Sequence, residues 1–159
     1  MSQPRGEAPR PTRAYGRRML VDGYQIESSW DRERLWAELV ALETISQWSA
    51  LEECTSTDSP LLEPTSSYVC KHNNGLHGVD ATVEVTDFEE AECLALRTET
   101  TIADLDERLV LADHLGGSLV TYSVDATSDS FGPSATVWLH RHVSFVCEKL
   151  EQFANRDLA

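Results

Sequence analysis

The end of the chain carries the pattern that constrains the fold most. Between about Ser134 and Asn155, apolar residues recur at alternating steps of four and three, at Leu139, Val143, Val146, Leu150 and Phe153. This spacing predicts one continuous apolar stripe along an α-helix. A stripe of that length is not stable in water, so the upstream residues must provide a surface on which the helix can pack.

Short segments of alternating apolar and polar residues precede this helix. They lie at about 52–58, 66–73, 79–87, 92–101, 107–114 and 118–127, and alternation over such lengths predicts β-strands. Asn74-Gly75 and Gly116-Gly117 are residue pairs typical of tight hairpin turns. Weaker turn signals are Phe88–Ala91 and Asp104–Asp106. We therefore expect consecutive antiparallel strands.

The first patterned part of the chain predicts a strand and then an interrupted helix. Residues Tyr24–Trp30 alternate in polarity, and Ser29 or Asp31 can cap the helix that follows. This helix breaks near Ile45 and Trp48, and its apolar residues are Leu35, Trp36, Leu39, Val40 and Leu42. The complete order predicts an α+β domain with a curved antiparallel sheet of about seven strands wrapped on the C-terminal helix. Such a sheet can enclose an apolar cavity, which is a typical ligand site.

Residues 1–21 differ in composition from the rest of the chain. They are rich in arginine and proline and nearly free of apolar side chains. Their burial cannot offset the entropy of ordering them. We expect a disordered tail over residues 1–21 and one domain over residues 22–156.

The charge balance restricts the possible partners. Acidic residues outnumber basic residues by 27 to 13, which gives a net charge of −14. Binding a phosphate backbone needs clustered Lys and Arg, so we exclude nucleic acid as a partner. No apolar stretch reaches the ~18 residues of a membrane span, and residues 1–20 lack the apolar run of a secretory signal. We expect a cytoplasmic protein without membrane insertion, either a monomer or a homodimer.

The four cysteines lie far apart, and neither CxxC nor the paired-histidine spacing of zinc sites occurs. We expect Cys54, Cys70, Cys93 and Cys147 to be reduced thiols in the core. The sequence also lacks the glycine-rich nucleotide motifs, HExxH and GxSxG. We therefore expect neither a bound metal nor a cofactor.

Three segments resemble the helix-grip superfamily, which includes START lipid-transfer domains, birch-pollen-allergen-type proteins and bacterial polyketide cyclase/dehydrase-like proteins. These segments are Trp30–Trp36 continuing to Ile45–Trp48, the hairpin Gly116–Tyr122, and the helix Leu139–Phe153. The resemblance covers about residues 22–156 and implies a helix-grip fold with an internal cavity.

The same resemblance implies two functions that stay open at this point. The first is binding a hydrophobic, oxygenated small molecule and promoting its cyclisation, aromatisation or dehydration, with an acyl carrier protein as a possible partner. The second is carrying or sensing a lipid-like ligand without chemistry. An enzyme needs polar groups that converge in the cavity, whereas a carrier needs an almost wholly apolar lining.

Arg97 is a catalytic candidate because of the resemblance. Leu94–Thr100 looks like the strand of tetracenomycin-type cyclases that places an arginine in the cavity, where it would anchor an oxyanion or carboxylate. The alternation alone favours Leu94 and Leu96 as the inward pair, which leaves Arg97 on a solvated face. Both alternatives remain open from the sequence.

The other catalytic candidates come from strand alternation. Tyr122 shares a face with Val120 and Val124, so it can donate a hydrogen bond to a carbonyl in the interior or serve as an ordinary core tyrosine. His72 can act as acid and base at neutral pH, or lie wet beside a turn. Asp113 can orient a histidine at the cavity mouth, or cap a turn.

Residues expected to line the cavity share an apolar or aromatic character. They are Trp48, Tyr68, Cys70, Val83, Leu94, Leu96, Leu111, Val120, Trp138 and His142. His140 and His142 lie about 200° apart around a helix, so they cannot bind one metal ion together.

Overall fold

A computed structural model describes residues 17–55, 60–73, 78–128 and 133–156. These residues form an antiparallel sheet, two short helices and one long helix. The elements are β1 (Arg17–Ser28), α1 (Arg32–Leu39), a 3₁₀ turn (Leu42–Thr44), α2 (Ile45–Trp48), β2 (Leu51–Thr55), β3 (Ser67–His72), β4 (Val79–Glu89), β5 (Cys93–Glu99), β6 (Asp104–His114), β7 (Gly117–Ser128) and α3 (Pro133–Ala154).

The strands form a seven-stranded sheet in the order β1-β7-β6-β5-β4-β3-β2. Every neighbouring pair is antiparallel. β2 to β7 follow the chain order, and only β1 joins out of sequence, at the far edge beside β7. This arrangement confirms the predicted α+β class, in which one sheet packs against a long C-terminal helix.

The core lies between the inner face of the sheet and α3. The five residues of the predicted helical stripe, Leu139, Val143, Val146, Leu150 and Phe153, are all buried. Burial alternates strictly along β3 and through most of β4, as expected for a sheet covered on one face. The sheet therefore has one face toward α3 and one face toward solvent.

The N-terminal boundary of the domain was predicted wrongly. β1 begins at Arg17, and residues 17–21 pair with the C-terminal end of β7 rather than belonging to a tail. The remaining tail residues, 1–16, lie outside the described part of the chain. Polar residues in this stretch hid the strand, because a one-residue shift in pairing between Val21 and Tyr24 interrupts its alternation.

The start of α1 follows the predicted capping chemistry. The Asp31 carboxylate accepts a hydrogen bond from the Arg34 backbone N–H at 2.8 Å. This bond satisfies one of the free donors at the helix start. Asp31, rather than Ser29, is therefore the cap.

The last hairpin turns where the glycines predict it. His114 pairs with Gly117, and Leu115 and Gly116 between them have φ values of 47° and 84°. Two consecutive residues with positive φ form the turn that suits antiparallel strands. A Cβ on Gly117 would lie 2.1 Å from the backbone oxygen of Ser28, so a side chain cannot be placed there without a shift. The Asn74-Gly75 turn lies outside the described residues.

The expectation of four reduced cysteines is wrong. Cys54 and Cys70 form a disulfide between β2 and β3, whereas Cys93 and Cys147 are free thiols. The adjacent pair Thr55↔Val69 shows why: the register brings these two strands side by side where the cysteines stand. None of the described helices is long and apolar enough to cross a membrane.

Candidate functional site

A carboxylate lies on the inner face of the sheet, among apolar side chains. On β6, Glu107 alternates with Leu105, Leu109 and Leu111, all of which are buried in the core. It pairs across the sheet with Leu96 on β5 and Val124 on β7. The side chain of Glu107 is only 13% exposed. A buried carboxylate needs hydrogen-bonding partners, and their identity defines the site.

Two donors hold the Glu107 carboxylate. The Tyr122 hydroxyl on β7 donates to Glu107 Oε2 at 2.5 Å. His142 Nε2 on α3 lies 2.7 Å from the same oxygen. The Tyr122 hydroxyl and His142 Nε2 are 3.3 Å apart. One residue from each of β6, β7 and α3 thus forms a compact polar group, here called the Glu107 network.

Aromatic rings surround the imidazole of the network. The His72 ring stacks on the His142 ring with centroids 5.1 Å apart, and the Trp138 ring lies 5.9 Å from His142 in a parallel arrangement. Trp138 and His142 are one turn apart on α3, whereas His72 comes from the end of β3. The side chain of His142 is fully buried. These rings fix the plane of the His142 imidazole.

The pKa values of the network follow from burial and from these contacts. Burial alone would raise the pKa of Glu107, but the nearby His142 and the bond from Tyr122 outweigh it, so that pKa is lowered. Burial and the adjacent carboxylate raise the pKa of Tyr122 well above its usual range. Burial, together with the nearby His142, lowers the pKa of His72 to about 4. At neutral pH the network therefore contains an ionised Glu107, a neutral phenol and a neutral His72.

Several polar atoms of this interior have no hydrogen-bond partner among the described residues. They are His142 Nδ1, His72 Nε2 and Thr98 Oγ1, on residues that are 0%, 2% and 0% exposed. Thr98 lies on the inner face of β5, two residues from the Leu96 that pairs with Glu107. Buried polar groups in proteins almost always have partners, and leaving one without costs about 1–3 kcal/mol. Groups of this kind are suited to bind a polar ligand.

Two of the predicted catalytic residues belong to this interior. Tyr122 and His72 are buried and face α3, as the alternation indicated. Tyr122 does not donate to a ligand carbonyl as expected, because its hydroxyl hydrogen is donated to Glu107. The imidazole of His72 keeps one nitrogen without a partner.

Arg97 does not reach the interior, so its placement as a cavity anchor is wrong. Leu94 and Leu96 face the core, and Arg97 lies on the opposite face of β5. There its guanidinium binds Asp106 at 2.5 Å and Asp104 at 3.2 Å, and lies 3.5 Å from Glu99. Asp104 and Asp106, where the sequence indicates a turn, belong to β6 and balance the charge of Arg97.

Asp113 is also outside the interior. Its side chain is 79% exposed and accepts a hydrogen bond from Arg32 Nε at 2.9 Å. The strand reaches the turn at this point, so the alternation that places Leu109 and Leu111 inward no longer has a core to follow. The ion pair between Asp113 and Arg32 links β6 to α1, and Asp113 takes no part in the Glu107 network.

The residues expected to line a cavity are all buried, but three of them make structural bonds to other parts of the protein. The Trp48 indole N–H donates to the Leu39 carbonyl, and Tyr68 binds the backbone at Leu61 and Glu63. Cys70 is held in the disulfide. The aliphatic residues of the set are buried in the core on β4 to β7; they are Val83, Leu94, Leu96, Leu111 and Val120. Trp138 and His142 face it from α3.

Among the described residues, surface concavities lie at the edge of the sheet and on its outer face. One of about 520 Å³ lies between β1, β7 and the end of α3, and includes Glu27 and His114. Another, of about 350 Å³, is lined mainly by residues of the outer sheet face, including Asp106 and Asp125, and Glu107 also contributes to its lining. Within the described residues, no group of three His, Cys, Asp or Glu side chains is placed to hold a metal ion.

Glu107 was missed by the sequence analysis although a signal for it existed. The strand predicted from the sequence begins at residue 107, and its inward set of Leu109, Leu111 and Asp113 leaves Glu107 out. Extending the same alternation two residues back places Glu107 on the core face. A charged residue in register with buried leucines is a functional candidate.

The sheet and the long C-terminal helix together define the helix-grip fold, and solved structures confirm it. An aromatase/cyclase from Streptomyces sp. R1128 is similar with a TM-score of 0.70 at 10% identity, over 87% of this chain and 92% of that one. A START superfamily protein from Mycobacterium smegmatis has a TM-score of 0.65 at 12% identity, over 85% and 96%. Ara h 8.0201 has a TM-score of 0.64 at 11% identity, over 86% and 97%.

No protein-family model matches the chain, and no curated protein sequence matches it. The likeness to the solved structures, at these identities, is one of fold.

Proposed function

We propose that the protein binds a hydrophobic, oxygen-bearing small molecule between the sheet and α3 and promotes its cyclisation or dehydration by proton transfer. The observation that carries this proposal is the Glu107 network, with His142 Nδ1 left unpartnered in a buried interior. A carrier needs no such group. A carboxylate and an imidazole joined in an apolar environment are suited to acid–base chemistry.

The hydrogen bonds assign the roles of the two residues. A carboxylate can only accept, so His142 Nε2 donates to Glu107, and when the ring carries a single hydrogen the lone pair of Nδ1 is free. Nδ1 removes a proton from the carbon beside a ligand carbonyl, and the resulting imidazolium is stabilised by the Glu107 carboxylate. Tyr122 holds that carboxylate in place. The ligand is then an enolate or enol, the reactive species for ring closure or loss of water.

The apolar surroundings have a role of their own. Leu96, Leu109 and Val124 flank the network on the inner face and exclude water from it. A flexible molecule enclosed by such a surface is held near the geometry of ring closure, which lowers the entropic part of the barrier. The aromatase/cyclase from Streptomyces, whose fold is similar, supports this reading of the reaction.

Proton transfer can be tested without knowing the natural substrate. We would incubate the protein with 2-tetralone, a neutral bicyclic ketone, in D₂O and follow exchange of its α-protons by NMR. The expected result is exchange that is faster than in buffer and slowed about 100-fold or more in Glu107→Gln, within the range typical of general acid–base catalysis. Glu84→Gln is the matched control, because it removes the same charge from an exposed position on the outer face of β4.

The two candidate functions give different results. Exchange that depends on Glu107 but not on Glu84 supports the enzyme. Binding of 2-tetralone with no exchange above buffer overturns the proton-transfer proposal and favours a carrier of hydrophobic molecules. Exchange that is equal in all three proteins also contradicts the role of the network.

A further inference from the structure

We infer that the interior site selects uncharged ligands with a hydrogen-bonding group and rejects carboxylates, including fatty acids. This inference rests on the interior site proposed above and adds the chemical class of its ligand. It depends on which charges face the interior and which do not.

Glu107 is the only acid among the buried inward positions of β3 to β7. It is ionised at neutral pH, since its pKa is lowered. The Glu107 carboxylate accepts hydrogen bonds from both His142 and Tyr122. A second carboxylate brought within about 5 Å would be repelled in an environment that screens charge poorly.

Apart from His142, whose Nε2 is already paired with Glu107, the described basic side chains lie elsewhere and cannot neutralise an incoming carboxylate. They are engaged by surface acids, by backbone carbonyls or by aromatic rings, or are exposed: Arg32, Arg34, Lys71, Arg97, Arg108, Arg141, Lys149 and Arg156. His72 is the other nitrogen base of the interior, and its pKa of about 4 keeps it neutral at pH 7. A buried carboxylate without a cation is unfavourable.

The unpartnered atoms of the interior are suited to neutral groups instead. Thr98 Oγ1 can donate and accept, and His142 Nδ1 and His72 Nε2 each lack a partner. A ligand hydroxyl, ketone or amide can satisfy such atoms without bringing charge. The site therefore offers hydrogen bonds to an uncharged polar group and repulsion to an anion.

A pair of probes that differ in charge but hardly in shape tests this inference. We would measure the binding of 2-naphthamide and of 2-naphthoate at pH 7 by calorimetry, with wild type, Glu107→Gln and the control Glu84→Gln. We expect naphthoate to bind about 100-fold more weakly than naphthamide to wild type and to Glu84→Gln. In Glu107→Gln the two affinities should come within about tenfold of each other.

Glu107→Gln is a mild change, because Tyr122 and His142 both donate to one oxygen, which the amide oxygen can replace. A salt series on wild type gives a second test that needs no variant. The net charge of −14 repels anions from outside, but that repulsion is screened at 0.5 M salt, where the Debye length is only about 4 Å. Discrimination between the two probes that comes from the buried Glu107 charge should persist at 0.5 M salt.

The outcomes separate this inference from the proposed function. Equal binding of the two probes to wild type, or discrimination that vanishes with salt, overturns the charge selection and leaves the interior site standing. Binding of neither probe at millimolar concentration counts against the interior site itself, and the inference falls with it. Discrimination that persists with salt and depends on Glu107 supports both.

Discussion

At the residue scale, Glu107 is held by partners from two other elements. A carboxylate in an apolar interior is stable only when its oxygens accept hydrogen bonds, and both donors here, Tyr122 and His142, bind a single oxygen. Removing one donor therefore costs more than the loss of a single contact, because the buried Glu107 charge is then less compensated.

The variant Tyr122→Phe measures this dependence. It removes the hydroxyl and keeps the ring, so we expect the free energy of unfolding to fall by about 1–3 kcal/mol, because a buried charged acceptor loses a donor. Urea unfolding at pH 7 checks it. Tyr24→Phe is the control, since Tyr24 is 48% exposed and should change stability by no more than about 0.5 kcal/mol. Equal effects of the two variants would contradict the network.

The buried His72 makes stability depend on pH. Its pKa is lowered from 6.5 to about 4 in the folded protein, so between these values the unfolded chain binds a proton that the folded protein does not. Stability should therefore fall as the pH drops from about 6.5 to 4, by about 3 kcal/mol in total from this residue. Urea unfolding at a series of pH values measures the slope.

The comparison with His72→Phe isolates this contribution. The aromatic ring keeps the packing and removes the titration, so the difference in unfolding free energy between the two proteins should change steadily between pH 6.5 and 4. Glu107 contributes at the lower end of that window and below it, because a carboxylate with a lowered pKa loses stability as the pH falls through its unfolded value of 4.5. A difference that is independent of pH contradicts the burial of a neutral His72.

At the element scale, alternation decided which side chains could be placed from the sequence. The patterns of β3 and β7 are regular: the alternation put Tyr122 on the apolar face, where it is buried, and it left open the side of β3 that carries the buried His72. On β5 the alternation favoured Leu94 and Leu96 as the inward pair, and only the resemblance placed Arg97 in the cavity. The alternation of one strand carries no information about its partner strand. Here Asp104 and Asp106 of β6 bind Arg97 on the outer face of the sheet.

The turn between β6 and β7 supplies a prediction about Gly117. A methyl group there would lie 2.1 Å from the Ser28 backbone oxygen, so Gly117→Ala should lower the free energy of unfolding by about 1–3 kcal/mol or more, as for other overpacking substitutions. Gly78→Ala is the control, because no atom lies within 4 Å of the added carbon. Thermal unfolding of both variants compares them, and an unchanged midpoint for Gly117→Ala contradicts the close approach of β1.

The disulfide between β2 and β3 leads to a further prediction about stability. Cys54 and Cys70 are separated by 16 residues, and a crosslink over such a loop stabilises a protein by about 3 kcal/mol. We expect Cys54→Ala to lower stability by that amount under oxidising conditions and to have no further effect once wild type is reduced. Thiol titration of the unfolded, unreduced protein should detect two free thiols, on Cys93 and Cys147. Four free thiols without reductant would contradict the crosslink.

At the scale of the whole molecule, the order of elements was sufficient to predict the fold. One amphipathic helix after a series of hairpins has few ways to bury its stripe, and the solved structures of similar fold bear that out. The disulfide and the Glu107 network could not be predicted in the same way. Each joins residues whose proximity depends on register and on the seating of α3, which no single segment of the sequence specifies.

The central claim is that a small molecule binds against the unpartnered imidazole nitrogens of the interior. The measurement that tests it most directly is a long-range ¹H–¹⁵N NMR spectrum of the histidine rings during titration with 2-naphthamide. We predict that resonances of His72 and His142 shift, because Nε2 of one and Nδ1 of the other lack partners. His140 and His114, which lie at the surface, should stay unchanged. Shifts confined to the surface histidines, or saturation of binding with no shift in His72 and His142, would contradict the account.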